Sequence, residues 1–114
     1  MAIKIYHNPR CTKSRQTLQL LEENGVSPEV IEYLKTPPTE DELKTIADSL
    51  NRPVREMMRT KEDIYKEKNL KEEQDEGNLI SAIAQNPILL ERPIVVNGEK
   101  AAIGRPPEDV LKIL

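Results

Sequence analysis

The sequence predicts a small mixed α/β protein whose sheet is assembled from a βαβ unit at the start of the chain and a ββα unit at its end. Three observations carry this expectation. A β-branched run from Ile3 stops at Asn8-Pro9, gives way to helical spacing, and returns as a second strand-like run at Glu29. Towards the other end, two strand-like runs flank Asn97-Gly98, the dipeptide that best tolerates positive φ. Between these ends the pattern is helical or polar throughout.

Ile3-Lys4-Ile5-Tyr6 alternates and forms the first strand. From Cys11 to Asn24 the spacing is helical, with Leu18 and Leu21 on one face and Gly25 placed to end the helix. Glu29-Val30-Ile31-Glu32-Tyr33 is the second strand, and its short link to the helix makes it parallel to the first. Pro37-Pro38 breaks the chain. Thr39-Glu40-Asp41-Glu42 is a capping box ahead of Leu43, Ile46, Ala47 and Leu50 at helical spacing. Pro53 to Met58 suggests a short helix, and Thr60 is placed to cap another running through Ile64 and Tyr65. Residues 66–76 are almost wholly polar and read as a solvated loop or exposed helix face. Leu79, Ile80, Ile83 and Ala84 mark a further helix that ends at Asn86-Pro87. Ile94-Val95-Val96, Asn97-Gly98 and Glu99 to Ile103 form a hairpin, and a closing helix over Glu108–Leu114 turns Val110, Leu111 and Leu114 inward. This order is the thioredoxin-like arrangement, a four-stranded mixed sheet with an all-helical insertion over about 39–86 between the two halves.

Length and composition bound the function. A chain of 114 residues is expected to form a single domain, 1–114, and 37% apolar residues without Phe or Trp require an aliphatic core. Seventeen Lys and Arg against 20 Asp and Glu are scattered, which argues against non-specific nucleic-acid binding. The chain enters its strand-like pattern at once and contains no apolar window of bilayer length, so no membrane is expected and the reading is cytoplasmic. One cysteine cannot close an intrachain disulfide, which fits a reducing compartment and leaves a free thiol.

That thiol, Cys11, lies in His7-Asn8-Pro9-Arg10-Cys11-Thr12-Lys13-Ser14-Arg15, at the expected strand-to-helix turn. A thiol attacks only as its thiolate, and a helix start favours that anion through unsatisfied amides and the helix dipole. Ser14, on the same face, can donate a hydroxyl hydrogen bond, and His7, Arg10 and Arg15 add polarisable or positive groups. A lone cysteine or histidine is more often a packed residue than a reacting one. Five such side chains within nine residues bring the functional reading level with the structural one. The same amides would cradle an oxyanion such as arsenate, phosphate or sulfate. Cys11-Thr12-Lys13-Ser14 is a C-x-x-C spacing with serine in the second position, so an external thiol must resolve any intermediate.

Tyr6–Arg15 resembles the active-site loop of the glutaredoxin-coupled arsenate reductase family, whose pattern is H-N-P-x-C-x-x-S-R. The resemblance continues in order through Tyr33–Pro38, Met58–Glu62, Asn86–Leu89, Arg92–Val96 and Gly104-Arg105-Pro106. Arg10, Thr12 and Lys13 replace the small residues usual around the cysteine, which suits a short, arsenate reductase-like branch. The resemblance implies an oxidoreductase of arsenic detoxification. Cys11 attacks arsenate, with His7 and Ser14 in the catalytic loop; Arg59, Arg92 and Arg105, with Arg15, hold the oxyanion; and Pro93 is cis. It further implies glutathione as co-substrate, glutaredoxin as partner and no tightly bound cofactor, in a protein expected to be a monomer; no metal is expected, because the single histidine and single cysteine stand four apart with no further soft ligands nearby. Two alternatives stand beside it. One is a Spx-type regulator that binds RNA polymerase, against which Ser14 counts by removing the second switch cysteine. The other is a thiol reductase acting on another substrate.

Overall fold

The computed structural model describes residues 2–114. The chain forms two compact units, Met1–Thr36 with Arg92–Leu114, and Pro37–Glu91.

The first unit carries the sheet. Its strands are β1 (Ile3–His7), β2 (Glu29–Glu32), β3 (Ile94–Asn97) and β4 (Lys100–Ile103), in the order β2-β1-β3-β4. β1 runs parallel to β2 and antiparallel to β3, and β3 is antiparallel to β4. This is the four-stranded mixed sheet expected from the thioredoxin-like element order. Ile5, Tyr6 and His7 are all buried, as a central strand covered on both faces requires. Helix α1 (Thr12–Glu23) and the C-terminal segment pack together, and Ile5, Leu21, Val95 and Val110 form one buried cluster with Leu18 and Ile113 at its margin. Leu21 is wholly buried there. Leu21→Ala is therefore expected to cost about 2–5 kcal/mol in urea unfolding.

The second unit is helical: α2 (Glu40–Leu50), α3 (Asp63–Glu67) and α4 (Glu76–Gln85), joined by short 3-10 turns. The capping box is complete, with the Glu42 amide donating to Thr39 Oγ1 and the Thr39 amide to Glu42 Oε1. Its loss in Thr39→Ala should lower stability by about 1 kcal/mol. α2 packs on α4, whose first amides are capped by Asp75.

Three local expectations are corrected. The C-terminal segment Pro107–Ile113 is a 3-10 helix, so side chains three apart align: Pro107 and Val110 are buried and Ile113 partly so, while Leu111 and Leu114 face outward. The hairpin turn is Gly98-Glu99, because Asn97 pairs with Lys100. Only Gly98 has positive φ, as a II′ turn needs, and the Asn97 side-chain Nδ2 is used instead to donate to the Ile113 carbonyl. Thr60 caps nothing; α3 starts after Glu62, without a side-chain cap. The polar run 66–76 is exposed as expected, apart from buried Leu70 and half-buried Glu73. Arg55 donates to Tyr65 Oη and to the carbonyls of Leu70 and Glu73, bonds that a hydropathy pattern could not show because the partners lie at a distance along the chain.

Candidate active site

The site is built where β1 ends and α1 begins. Asn8 organises the connecting loop: its carbonyl accepts from the Cys11 amide at 3.0 Å and its Oδ1 from the Arg10 amide at 3.0 Å. The Asn8 amide in turn donates to Ser14 Oγ at 3.0 Å. Asn8-Pro9 marks the end of β1 in the sequence, and Asn-Pro as a turn signal also points to this organising role of Asn8. Cys11 is the N-cap residue of α1, in extended conformation, and is almost buried.

Ser14 is wholly buried, and His7 Nδ1 lies 2.6 Å from its Oγ. A buried hydroxyl proton needs an acceptor, and since the Asn8 amide only donates, that acceptor is His7 Nδ1. His7 is thus the tautomer with its proton on Nε2. Burial, the largest influence, and Arg15 both hold its pKa below the ordinary value, against the opposing pull of Glu32, its register partner on β2.

This corrects the expected use of the loop. The Ser14 hydroxyl is directed to the strand end rather than to the sulfur, and His7 is held as a neutral ring by burial. The expected cations of the loop, Arg10 and Arg15, are not what acts on the thiol. Arg10 is exposed, and Arg15 reaches back to donate to the Pro9 carbonyl at 2.9 Å and to Thr12 Oγ1 at 3.3 Å.

The thiol meets one guanidinium group from the far end of the unit, and a second acts on it electrostatically. Arg105 Nη2 donates to Cys11 Sγ at 3.6 Å, and its Nε donates to the Arg92 carbonyl at 2.8 Å. Burial pushes the Cys11 pKa up most strongly of any single influence. The Ser14 amide, Arg92, Arg105 and the Lys13 amide together outweigh it, so the pKa lies below the ordinary thiol value. The two amides act without closing a capping hydrogen bond. The rate of Cys11 alkylation against pH should have its midpoint below that of a free thiol, and a midpoint at or above it would contradict the arrangement.

The peptide bonds Arg92-Pro93 and Arg105-Pro106 are both cis; only the first was anticipated. Arg59 belongs to the helical unit, where its guanidinium pairs with Glu62 at 2.9 Å and its amide donates to the Leu89 carbonyl. Among the described residues no three His, Cys, Asp or Glu side chains are grouped to hold a metal ion, and no helix is long and apolar enough to cross a membrane.

Fold and site together define a thioredoxin-like protein with one thiol at a helix start, its anion favoured by first-turn amides and arginines. The sequence model of the ArsC family matches residues 6–113, and the chain belongs to that family. It is 56% identical over 114 residues to a protein of Escherichia coli (strain K12) named "Uncharacterized protein YfgD", covering 98% of this chain and 96% of the relative. It is 50% identical over 116 residues to the "Arsenate reductase" of Haemophilus influenzae, covering 100% of both. The solved structure "Arsenate reductase from Vibrio cholerae" superposes with a TM-score of 0.96 at 52% identity, over 100% of this chain and 98% of that one.

Proposed function

We propose that this protein is a cytoplasmic arsenate reductase in which the Cys11 thiolate attacks arsenate and external thiols supply the electrons. The observation that carries the reading is the Arg105 guanidinium on Cys11 Sγ, within a family whose full-length relatives bear the arsenate reductase name. A guanidinium is a permanently charged, forked donor that can favour a thiolate and then a tetrahedral oxyanion at the same place. Arg92 acts on the same sulfur, and Arg59 is the third oxyanion ligand that the family resemblance implies.

The single cysteine dictates the rest of the chemistry. The Cys11 sulfur bonds to arsenic(V) as one oxygen, after protonation, leaves as water. Glutathione, the co-substrate, adds through its sulfur as a second oxygen leaves in the same way. A glutaredoxin thiol then takes the glutathione sulfur into a mixed disulfide, and the electron pair of the broken sulfur–arsenic bond stays on arsenic, which falls to arsenic(III). Water releases arsenite and restores the Cys11 thiol. No tightly bound cofactor enters this sequence.

The test is arsenite formation by the purified protein with arsenate, glutathione and glutaredoxin. Turnover with all three, lost when glutathione or glutaredoxin is left out, is the expected result. Absence of turnover with both partners present, together with capture of RNA polymerase, would favour the regulator instead.

A further inference from the structure

Gly104 has no room for a side chain, although its backbone does not lie at positive φ. A Cβ built on it would lie 2.6 Å from Thr17 Oγ1, 3.1 Å from Thr17 Cγ2 and 2.7 Å from Pro93 Cγ. Glycine is therefore required here by close approach and not by backbone conformation. Neither neighbour can easily give way. Thr17 is wholly buried and its hydroxyl donates to the Lys13 carbonyl at 2.8 Å, while the ring of Pro93 is rigid.

The contact joins three parts of the site. Thr17 lies on α1 between Cys11 and the buried Leu21. Pro93 precedes β3, and the Gly104 amide donates to its carbonyl at 2.9 Å. Gly104 follows β4 directly and is followed by Arg105, whose Nε holds the Arg92 carbonyl and whose Nη2 reaches Cys11 Sγ. A methyl group at 104 would have to displace either α1 or the segment carrying Arg105. At 3.6 Å the bond to sulfur has little reserve for such a shift.

We propose that Thr17 and Gly104 are positioning residues for Cys11: their close contact with Pro93 sets the spacing between α1 and the end of β4, and so keeps the Arg105 guanidinium on the sulfur. The inference rests on the reading of Cys11 as the reacting thiol, but it is tested on that thiol directly, without arsenate. A failed arsenate assay would leave it standing.

The experiment measures the pH midpoint of Cys11 alkylation in Gly104→Ala, Arg105→Ala and the double variant, with a thermal melt to establish folding. Arg105→Ala removes an opposite charge from the thiolate and should raise the midpoint by about one pH unit. Gly104→Ala should raise it in the same direction, and the double variant should move no further than Arg105→Ala alone, because both changes remove the same interaction. A folded Gly104→Ala with the native midpoint would overturn the proposal, as would shifts that add in the double variant. Should Gly104→Ala not fold, Thr17→Ala opens the same contact from the other side. It should raise the midpoint when Arg105 is present and leave it unmoved in an Arg105→Ala background; an unchanged midpoint with Arg105 present, or the same rise in both backgrounds, would overturn it too.

Discussion

Cys11→Ser is expected to reduce arsenite formation to background while leaving the protein as stable as before, or more so. The two effects have separate causes. A serine hydroxyl is not ionised in this pH range, so the sulfur nucleophile and the anionic partner of Arg105 are both lost. Yet Cys11 is the N-cap of α1 and makes no side-chain capping bond, whereas serine is among the preferred capping residues. The exchange could therefore raise stability by up to about 1 kcal/mol. A parallel arsenite assay and thermal melt distinguish the outcomes. Residual turnover well above background would mean that Cys11 is not the attacking group, and loss of both activity and fold would leave the thiol packed rather than poised.

Ser14→Ala should have the largest effect of any single change at the loop that leaves the cysteine in place. The hydroxyl is wholly buried, donates to His7 Nδ1 and accepts from the Asn8 amide. Alanine strands both partners, and a buried polar group left without its partner costs about 1–3 kcal/mol. Urea unfolding should accordingly show a loss of about 2–6 kcal/mol, summed over the two groups. Because the Ser14 amide is the strongest influence lowering the Cys11 pKa, loosening the first turn of α1 should also raise the alkylation midpoint. Native stability in Ser14→Ala would show that the loop is held by other bonds.

His7 links the same network to pH. Burial holds its folded-state pKa below the ordinary value of 6.5, so the unfolded chain binds the proton more readily than the folded one. The stability contributed by neutral His7 is present in full above about pH 6.5 and declines as pH falls towards the folded-state pKa. Unfolding midpoints measured across that range should fall with pH in the native protein, and His7→Gln should flatten that part of the slope.

Much of the architecture was legible in residue patterns because it is local. Alternation in Ile3–Tyr6, the capping box at Thr39–Glu42 and the β-branched run at Ile94 each mark an element through neighbours a few residues apart, and the order of those elements carried the mixed sheet. Local rules failed where a second segment supplies the partner. Asn97 pairs with Lys100 instead of sitting in the turn, and its side-chain Nδ2 donates to the Ile113 carbonyl; within the exposed polar run, the Leu70 and Glu73 carbonyls are taken up by Arg55.

The stretch around Cys11 shows the same division. Residue types and spacing alone marked a free thiol at a helix start, with serine where a resolving cysteine would stand, since both follow from a few consecutive positions. Only the tertiary structure decided which groups act on that thiol. The nearby His7, Arg10 and Arg15 are buried and neutral, exposed, or bound to the loop itself, and Ser14 turns its hydroxyl to the strand end. The guanidinium that reaches the sulfur comes from 94 residues away, because the antiparallel pairing of β3 and β4 returns Arg105 to Arg92 and the closeness of Gly104 to Thr17 sets that segment against α1. Electrostatic influence on a thiol depends on distance in space, and in this fold that distance is set by sheet pairing and the size of one side chain rather than by position along the chain.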